Sequence, residues 1–332
     1  MNNMSIITIA FGCLIILLFS SCKKNINAVF GHQTDLSDSK VIRDIVYGSN
    51  DDWQGRQQDL KMDIYLPKNE SATSKKYPVL VFIHGGGFQK GDKSTTESFA
   101  ALLNKKGYAV ATINYRLGWT NDTIENCNDD TLQAVEAVYR AMQDSRAALR
   151  FIAAYADKYQ LDENWIFVGG SSAGGVSALN ATYYTPSLAE IAYPGLDKKL
   201  GPLDAGNDLN NGYSIKAIVN MWGSIDDLNV ITKDGAKPTI FFHGMLDNVV
   251  PYDIGHLYSC EKMPVEYGSK PIYDRLTDFG VSAVAHIDRT GGHGVYDRIF
   301  QTNNIACFLK GVMNREPQKG YFYNFEGDCG EH

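Results

Sequence analysis

Apolar runs of strand length alternate with helix-forming stretches along most of this chain. Residues 79–83, 109–114, 165–168, 217–221, 239–242 and 281–285 read as strands, with helical patterns between them. Parallel neighbours need long crossovers, and a sheet covered by helices on both faces buries near-continuous apolar strands, so the alternation predicts a largely parallel sheet wrapped by helices. Residues 41–47 and 60–66 read as an opening antiparallel hairpin, which brings the expected sheet to eight strands. The clearest helix is expected over 131–159, where Val135, Val138, Met142, Ala148, Leu149, Ile152 and Tyr155 recur at spacings of three and four. Residues 185–213 are rich in Gly, Pro, Asn and Asp and are expected as a long loop inserted near the carboxyl edge of the sheet, where long ordered loops tend to carry function.

At 332 residues, 44% hydrophobic and 21% charged, the chain has the composition of a globular protein with a sizeable core. Its formal charge of −7 and its lack of any long Lys/Arg run argue against a nucleic-acid partner.

The strand at 165–168 runs into "GGSSAGG", and helix-forming residues follow. In the register Gly170-Ser171-Ser172-Ala173-Gly174, Ser172 centres a G-x-S-x-G turn that lifts its hydroxyl above the carboxyl edge of the sheet. An aliphatic alcohol is a poor nucleophile at neutral pH, so Ser172 calls for a base, an orienting acid and an anion trap. The trap is expected at His84-Gly85-Gly86-Gly87-Phe88, directly after the third strand, with backbone N–H groups of Gly86, Gly87 and Ala173 as donors to a developing oxyanion. His84 itself is expected to be structural.

The acid is expected at Asp247 in "HGMLDNVVP", beyond a buried strand; Asp226 or Asp227, after "NMWGSI", competes for the role. Among seven histidines, His32 lies in a polar N-terminal stretch and His332 at the end; His84 and His243 precede glycine turns, His256 falls in an expected helix, and His286 closes the last strand. His293, between glycines in "GGHG", remains as the base, and Ser172, Asp247 and His293 then follow the chain order Ser, Asp, His.

Together, "HGGGF", "QDSRAALRFI", "GGSSAGG", "HGMLDNVVP" and "GGHG" resemble the α/β-hydrolase superfamily, in its hormone-sensitive-lipase-like esterase branch. The resemblance implies an α/β-hydrolase fold and a serine carboxylesterase working through an acyl-enzyme without metal or organic cofactor. No helical cap domain is recognisable upstream of the sheet, and the 185–213 insertion is a candidate substitute. Trp119, Tyr183, Tyr184 and Trp222 are candidates for an aromatic rim suited to a sugar or phenolic acyl group. Short-acyl or hydroxycinnamoyl esters of carbohydrates are the expected substrates. A serine peptidase, a polyester hydrolase and a non-catalytic binding module on the same fold stay open as alternatives.

Residues 6–19 are almost uniformly apolar yet shorter than the ~20 residues of a membrane span. They read as a secretion signal over 1–21, and "LFSSC" resembles a bacterial lipobox with lipidation at Cys22, followed by a polar tether over 22–39 and one catalytic domain over 40–332. The expected location is the bacterial cell envelope, membrane-held through that lipid, with a periplasmic or secreted protein as the alternative. Export would place Cys127, Cys260, Cys307 and Cys329 in an oxidising compartment; Cys307 with Cys329 and Cys127 with Cys260 are the candidate pairs, and no spacing suggests a metal site.

Overall fold

A computed structural model describes residues 35–68, 76–119 and 131–329. The expected signal, Cys22, most of the tether and Cys127 therefore lie outside the described residues. Two long antiparallel strands, β1 (Ser39–Asp51) and β2 (Gln57–Pro67), open the fold. There follow β3 (Tyr77–Ile83), α1 (Glu97–Lys105), β4 (Ala109–Ile113), α2 (Thr131–Ala154), β5 (Leu161–Ser171) and α3 (Ala173–Tyr183). After short helices α4 (Pro186–Ala192) and α5 (Leu196–Leu200) come β6 (Ile215–Met221) and β7 (Thr239–Gly244). A small hairpin, β8 (Ile254–His256) with β9 (Val265–Tyr267), precedes α6 (Ser269–Asp278), β10 (Ala283–Asp288), α7 (Arg298–Met313) and β11 (Lys319–Tyr323).

The main sheet has nine strands in the order β1-β2-β4-β3-β5-β6-β7-β10-β11, where eight were expected. Its parallel part runs from β4 to β11, and β2 pairs antiparallel to β4. Successive residues of β3 face opposite sides: Val79, Val81 and Ile83 pack into a core layer shared with α2, α3 and α6, while Leu80 and Phe82 pack beneath α1 and α7. Both faces are thus dry, which accounts for the unbroken apolar strands in the sequence.

The ninth strand, β11, adds to the edge beside β10, and the Cys307–Cys329 disulfide closes the chain around it from α7 to the tail. The candidate pairing of Cys127 with Cys260 involves a residue outside the described set. The 185–213 stretch is not the plain loop expected. Thr185 caps α4 through its Oγ1, which accepts from Leu188 N–H at 3.3 Å, and Pro186 occupies the first helical turn. His256 ends strand β8 rather than sitting in a helix.

Candidate active site

Ser172 sits between β5 and α3 with φ 55° and ψ −124°, a left-handed conformation costly for a residue with a side chain. The surroundings enforce it. The Ser172 N–H donates to Met221 O at 2.9 Å, and Val176 N–H reaches back to Ser172 O at 3.0 Å. Strand and helix meet so closely that a Cβ on Gly174 would lie 2.0 Å from Ile83 O, and one on Gly170 would lie 2.4 Å from Gly174 O. The two glycines flanking the serine motif are the residues that allow this approach.

His293 lies with Nε2 2.8 Å from Ser172 Oγ and Nδ1 2.8 Å from Asp247 Oδ2. Residues 120 or so apart in sequence meet because β5, β7 and β10 all end at the same edge of the sheet. The acid and histidine loops are also tied to each other. Met245 N–H donates to Asp288 O at 2.8 Å and Leu246 N–H to Gly291 O at 3.0 Å. Gly244 permits that contact, since a Cβ there would come within 2.3 Å of the carbonyls of Gly291 and Gly292. Asp288 Oδ1 accepts from Thr290 and Gly291 N–H groups and shapes the turn that presents His293.

Asp247 has a fully buried side chain that accepts four hydrogen bonds. Oδ1 receives the N–H groups of Val249 and Val250 at 2.8 and 3.0 Å, and Oδ2 faces His293 at 2.8 Å and His243 at 3.2 Å. Burial by itself would raise the carboxyl's pKa. The hydrogen bonds from His243 and His293 outweigh it and hold the group far below the usual carboxylate range. His243 Nε2 also faces Val250 O at 3.1 Å. Both of those oxygens only accept, so Nε2 carries a proton, and Nδ1 is left to face Ser269 Oγ at 2.8 Å.

The glycine loop after β3 turns sharply, with Gly86 at φ 120°, Gly87 at φ 63° and Phe88 at φ 61°. Gly86 O accepts from the N–H groups of Gln89 and Lys90, and Gly87 O from Trp119 Nε1 at 2.9 Å. Among the described residues, the N–H groups of Gly86, Gly87 and Ala173 donate to no protein acceptor, which leaves them free for a ligand. Gly87 and Ala173 line the cavity together with Ser172, whereas Gly86 does not. His84 braces the loop from within: its Nδ1 lies 2.7 Å from Gly85 O, its ring stacks on Tyr115, and Tyr115 donates to His84 O at 3.0 Å. Burial lowers the His84 pKa, consistent with a structural imidazole.

The cavity encloses about 650 Å³ of space, its solvent-open mouth included. Val135, Val138, Val249, Val250, Leu257 and Met263 supply apolar wall, and the carboxyls of half-buried Asp226 and buried Glu266 interrupt it. Among the described residues no group of three or more His, Cys, Asp or Glu side chains is arranged to hold a metal ion.

A sequence profile of the BD-FAE family matches residues 62–237, more than half of the chain. The chain belongs to the BD-FAE family. Curated proteins similar to this BD-FAE member include gut esterase 1 of Caenorhabditis elegans, 35% identical over 38% of this chain, and tuliposide A-converting enzyme 2 of Tulipa gesneriana, 30% identical over 48%. The matches span 21% and 41% of those relatives' own lengths, so this chain corresponds to less than half of either. Among solved structures, a truncated carbohydrate esterase from gut microbiota superposes with a TM-score of 0.58 at 20% identity, covering 85% of this chain and all of the other. Esterase 2 of Thermogutta terrifontis gives 0.54 at 19%, covering 86% and 98%. These likenesses place the BD-FAE member in the α/β-hydrolase fold.

Within this BD-FAE site, Asp226 and Asp227 stand apart from His293. Asp226 is occupied by the hydroxyls of Tyr184 and Tyr193, and Asp227 accepts from Asn229 N–H at 2.8 Å. Of the aromatic candidates, Trp119 lines the cavity and Trp222 meets the His293 ring edge-on at 6.3 Å. Neither of the others lines the cavity: Tyr184 donates to Asp226 and packs its ring on Tyr193 at 5.4 Å, and the buried Tyr183 accepts from Lys237 N–H. Sequence reasoning missed Tyr193, Tyr258 and Glu266 in the cavity and the contact of His243 with Asp247. The i,i+4 spacing of His243 and Asp247 in "HGMLD" was a usable signal for that contact. Nothing local marks Tyr193, Tyr258 or Glu266.

Proposed function

We propose that the chain is a serine carboxylesterase, acting through an acyl-enzyme on short-acyl or hydroxycinnamoyl esters of carbohydrates. One observation carries this reading: the hydrogen-bonded run from Asp247 through His293 to Ser172, 2.8 Å at each step. In it Asp247 orients His293 through Nδ1–H, leaving Nε2 to accept the Ser172 proton as Oγ attacks the ester carbonyl carbon. The carbonyl oxygen gains negative charge and is met by the N–H groups of Gly86, Gly87 and Ala173. As the C–O bond to the alcohol breaks, the proton on Nε2 passes to the departing alkoxide. Water then repeats the sequence on the acyl-enzyme and restores Ser172.

The esterase names of the curated relatives support the reaction class. The apolar wall of Val135, Val138, Val249, Val250, Leu257 and Met263 beside Ser172 supports a short or single-ring acyl group. The lipobox-like "LFSSC" supports anchoring at a bacterial envelope, where glycan esters are met; palmitate labelling that is lost in Cys22→Ser would test it. The function is tested by assaying purified protein against p-nitrophenyl acetate, acylated glycans and amino-acid anilides. Ester turnover that disappears in Ser172→Ala supports it; anilide cleavage without ester cleavage rejects it.

A further inference from the structure

Beside the hydrolytic residues, the cavity contains two carboxyls that the proposed reaction does not use. Ile225 and Tyr267 form an antiparallel bridge, exchanging N–H···O bonds of 3.0 and 2.8 Å. That register sets the next pair, Asp226 and Glu266, directly across from each other. Like charges at facing cross-strand positions repel, and these two also line a largely apolar cavity. Such a pair is a poor choice for packing alone.

The hydrogen bonds around the two acids are unequal. Asp226 accepts the hydroxyl of Tyr184 on Oδ1 at 2.7 Å and that of Tyr193 on Oδ2. Glu266, only 4% exposed, accepts from Ser224 Oγ on Oε2 at 2.7 Å, and among the described residues Oε1 has no partner. Burial, reinforced by the charge of Asp226, raises Glu266 to about 8, so it keeps its proton near neutrality. With Oε2 accepting from Ser224, that proton belongs on Oε1. The cavity therefore offers the accepting oxygens of Asp226 and the O–H donor of Glu266 on one wall. An ammonium group would need acceptors on both sides; an alcohol or phenol, donor and acceptor in one atom, satisfies both.

We propose that Asp226 and Glu266 form a hydroxyl-recognition subsite, gripping a hydroxyl carried by the part of the ester that fills the cavity. The subsite makes this hydroxyl a determinant of specificity: an analogue lacking it leaves the buried Glu266 carboxyl beside Asp226 without a ligand. This inference rests on the esterase reading above and adds to it the group that the substrate must carry. The hydroxyl comes either from the acyl group or from the alcohol.

The test compares kcat/KM for matched esters in two series. One varies the acyl group, as methyl esters of 4-hydroxycinnamic, 4-methoxycinnamic and cinnamic acids. The other varies the alcohol, as acetates of a free and an O-methylated monosaccharide. Discrimination of ~100-fold or more in favour of the free hydroxyl is expected in one series, and that series identifies the source. Glu266→Gln should shrink the ratio at least ~10-fold, acting on the hydroxylated ester more than on its partner. Should Glu266→Gln not fold, Ser224→Ala and Asp226→Asn read the same ratio, and the wild-type ratio needs no variant. Ratios near one in both series, or a hydroxyl preference unchanged in these variants, would overturn the subsite. Fluorophosphonate labelling of Ser172 is run in parallel: a labelled, active enzyme with no hydroxyl preference defeats the subsite alone. Wild type that neither labels nor cleaves any ester defeats the esterase reading and the subsite with it.

Discussion

His243 and His293 place ring nitrogens 3.2 and 2.8 Å from the same oxygen of Asp247. Only His293 reaches the serine; His243 is fully buried and holds the carboxylate from behind, with Ser269 fixing the far side of its ring. His243 is thus a positioning residue. His243→Phe should lower kcat about 10- to 100-fold with KM little changed, since a shift of ~1 Å in a reacting group can cost 100-fold. Asp247→Asn should cost about 10⁴-fold, because the wrong imidazole tautomer is then favoured. Steady-state kinetics on both variants check the order; a larger loss in the His243 variant would contradict it.

Stability should carry the mark of Glu266. Its pKa is raised from 4.5 to about 8 on folding, first by burial and then by Asp226. A raised pKa stabilises the fold fully below the unfolded value and less as pH climbs through the folded one. The Glu266 contribution is therefore present below pH 4.5 and fades as pH passes 8. Asp247 acts in the opposite sense, adding stability above 3.8 that is lost as pH falls below it, so the two windows are separate. Thermal melts across pH should show Tm declining through the upper window in wild type and a flatter profile in Glu266→Gln. Parallel profiles would remove the linkage.

The disulfide around β11 has a calculable effect. Cys307 and Cys329 are 22 residues apart. Closing a loop of that size disfavours the unfolded chain by about 3 kcal/mol in the chain-entropy description. Replacing both cysteines by serine should lower the unfolding free energy by roughly that amount, read from urea titration with the fold retained. No change would mean that β11 is secured by its pairing with β10 alone.

At the serine turn, Gly174→Ala should be poorly tolerated, because its Cβ would fall 2.0 Å from Ile83 O. We expect a loss of roughly 1–3 kcal/mol or more, together with slower reaction of Ser172 with a covalent probe. Wild-type stability and labelling in this variant would show that strand and helix can separate at no cost.

Much of this arrangement was legible in the sequence because its decisive parts are local. Gly170 to Gly174, the three glycines after His84, and the turns around Asp247 and His293 each follow a strand directly, and apolar alternation locates the strands. The acidic pair was not legible: Asp226 and Glu266 meet through a bridge between segments 42 residues apart in sequence, paired by only Ile225 and Tyr267. Strand β11 escaped because Lys319 to Tyr323 is short, contains a glycine and follows a polar turn. Helices α4 and α5 escaped because Gly195 and Gly201 flank a five-residue element, although Thr185-Pro186 is a recognisable helix start. Local chemistry was readable where one segment suffices, and hidden where tertiary pairing supplies the neighbour.

The most direct measurement is peptide mapping after reaction with a fluorophosphonate, paired with ester kinetics. The account predicts one adduct, on Ser172, absent in Ser172→Ala and retained in Ser171→Ala. It also predicts that Ser172→Ala lowers kcat for p-nitrophenyl acetate by up to ~10⁶-fold, the scale seen when such nucleophiles are removed. An adduct on another residue, or ester hydrolysis that survives Ser172→Ala, would contradict it.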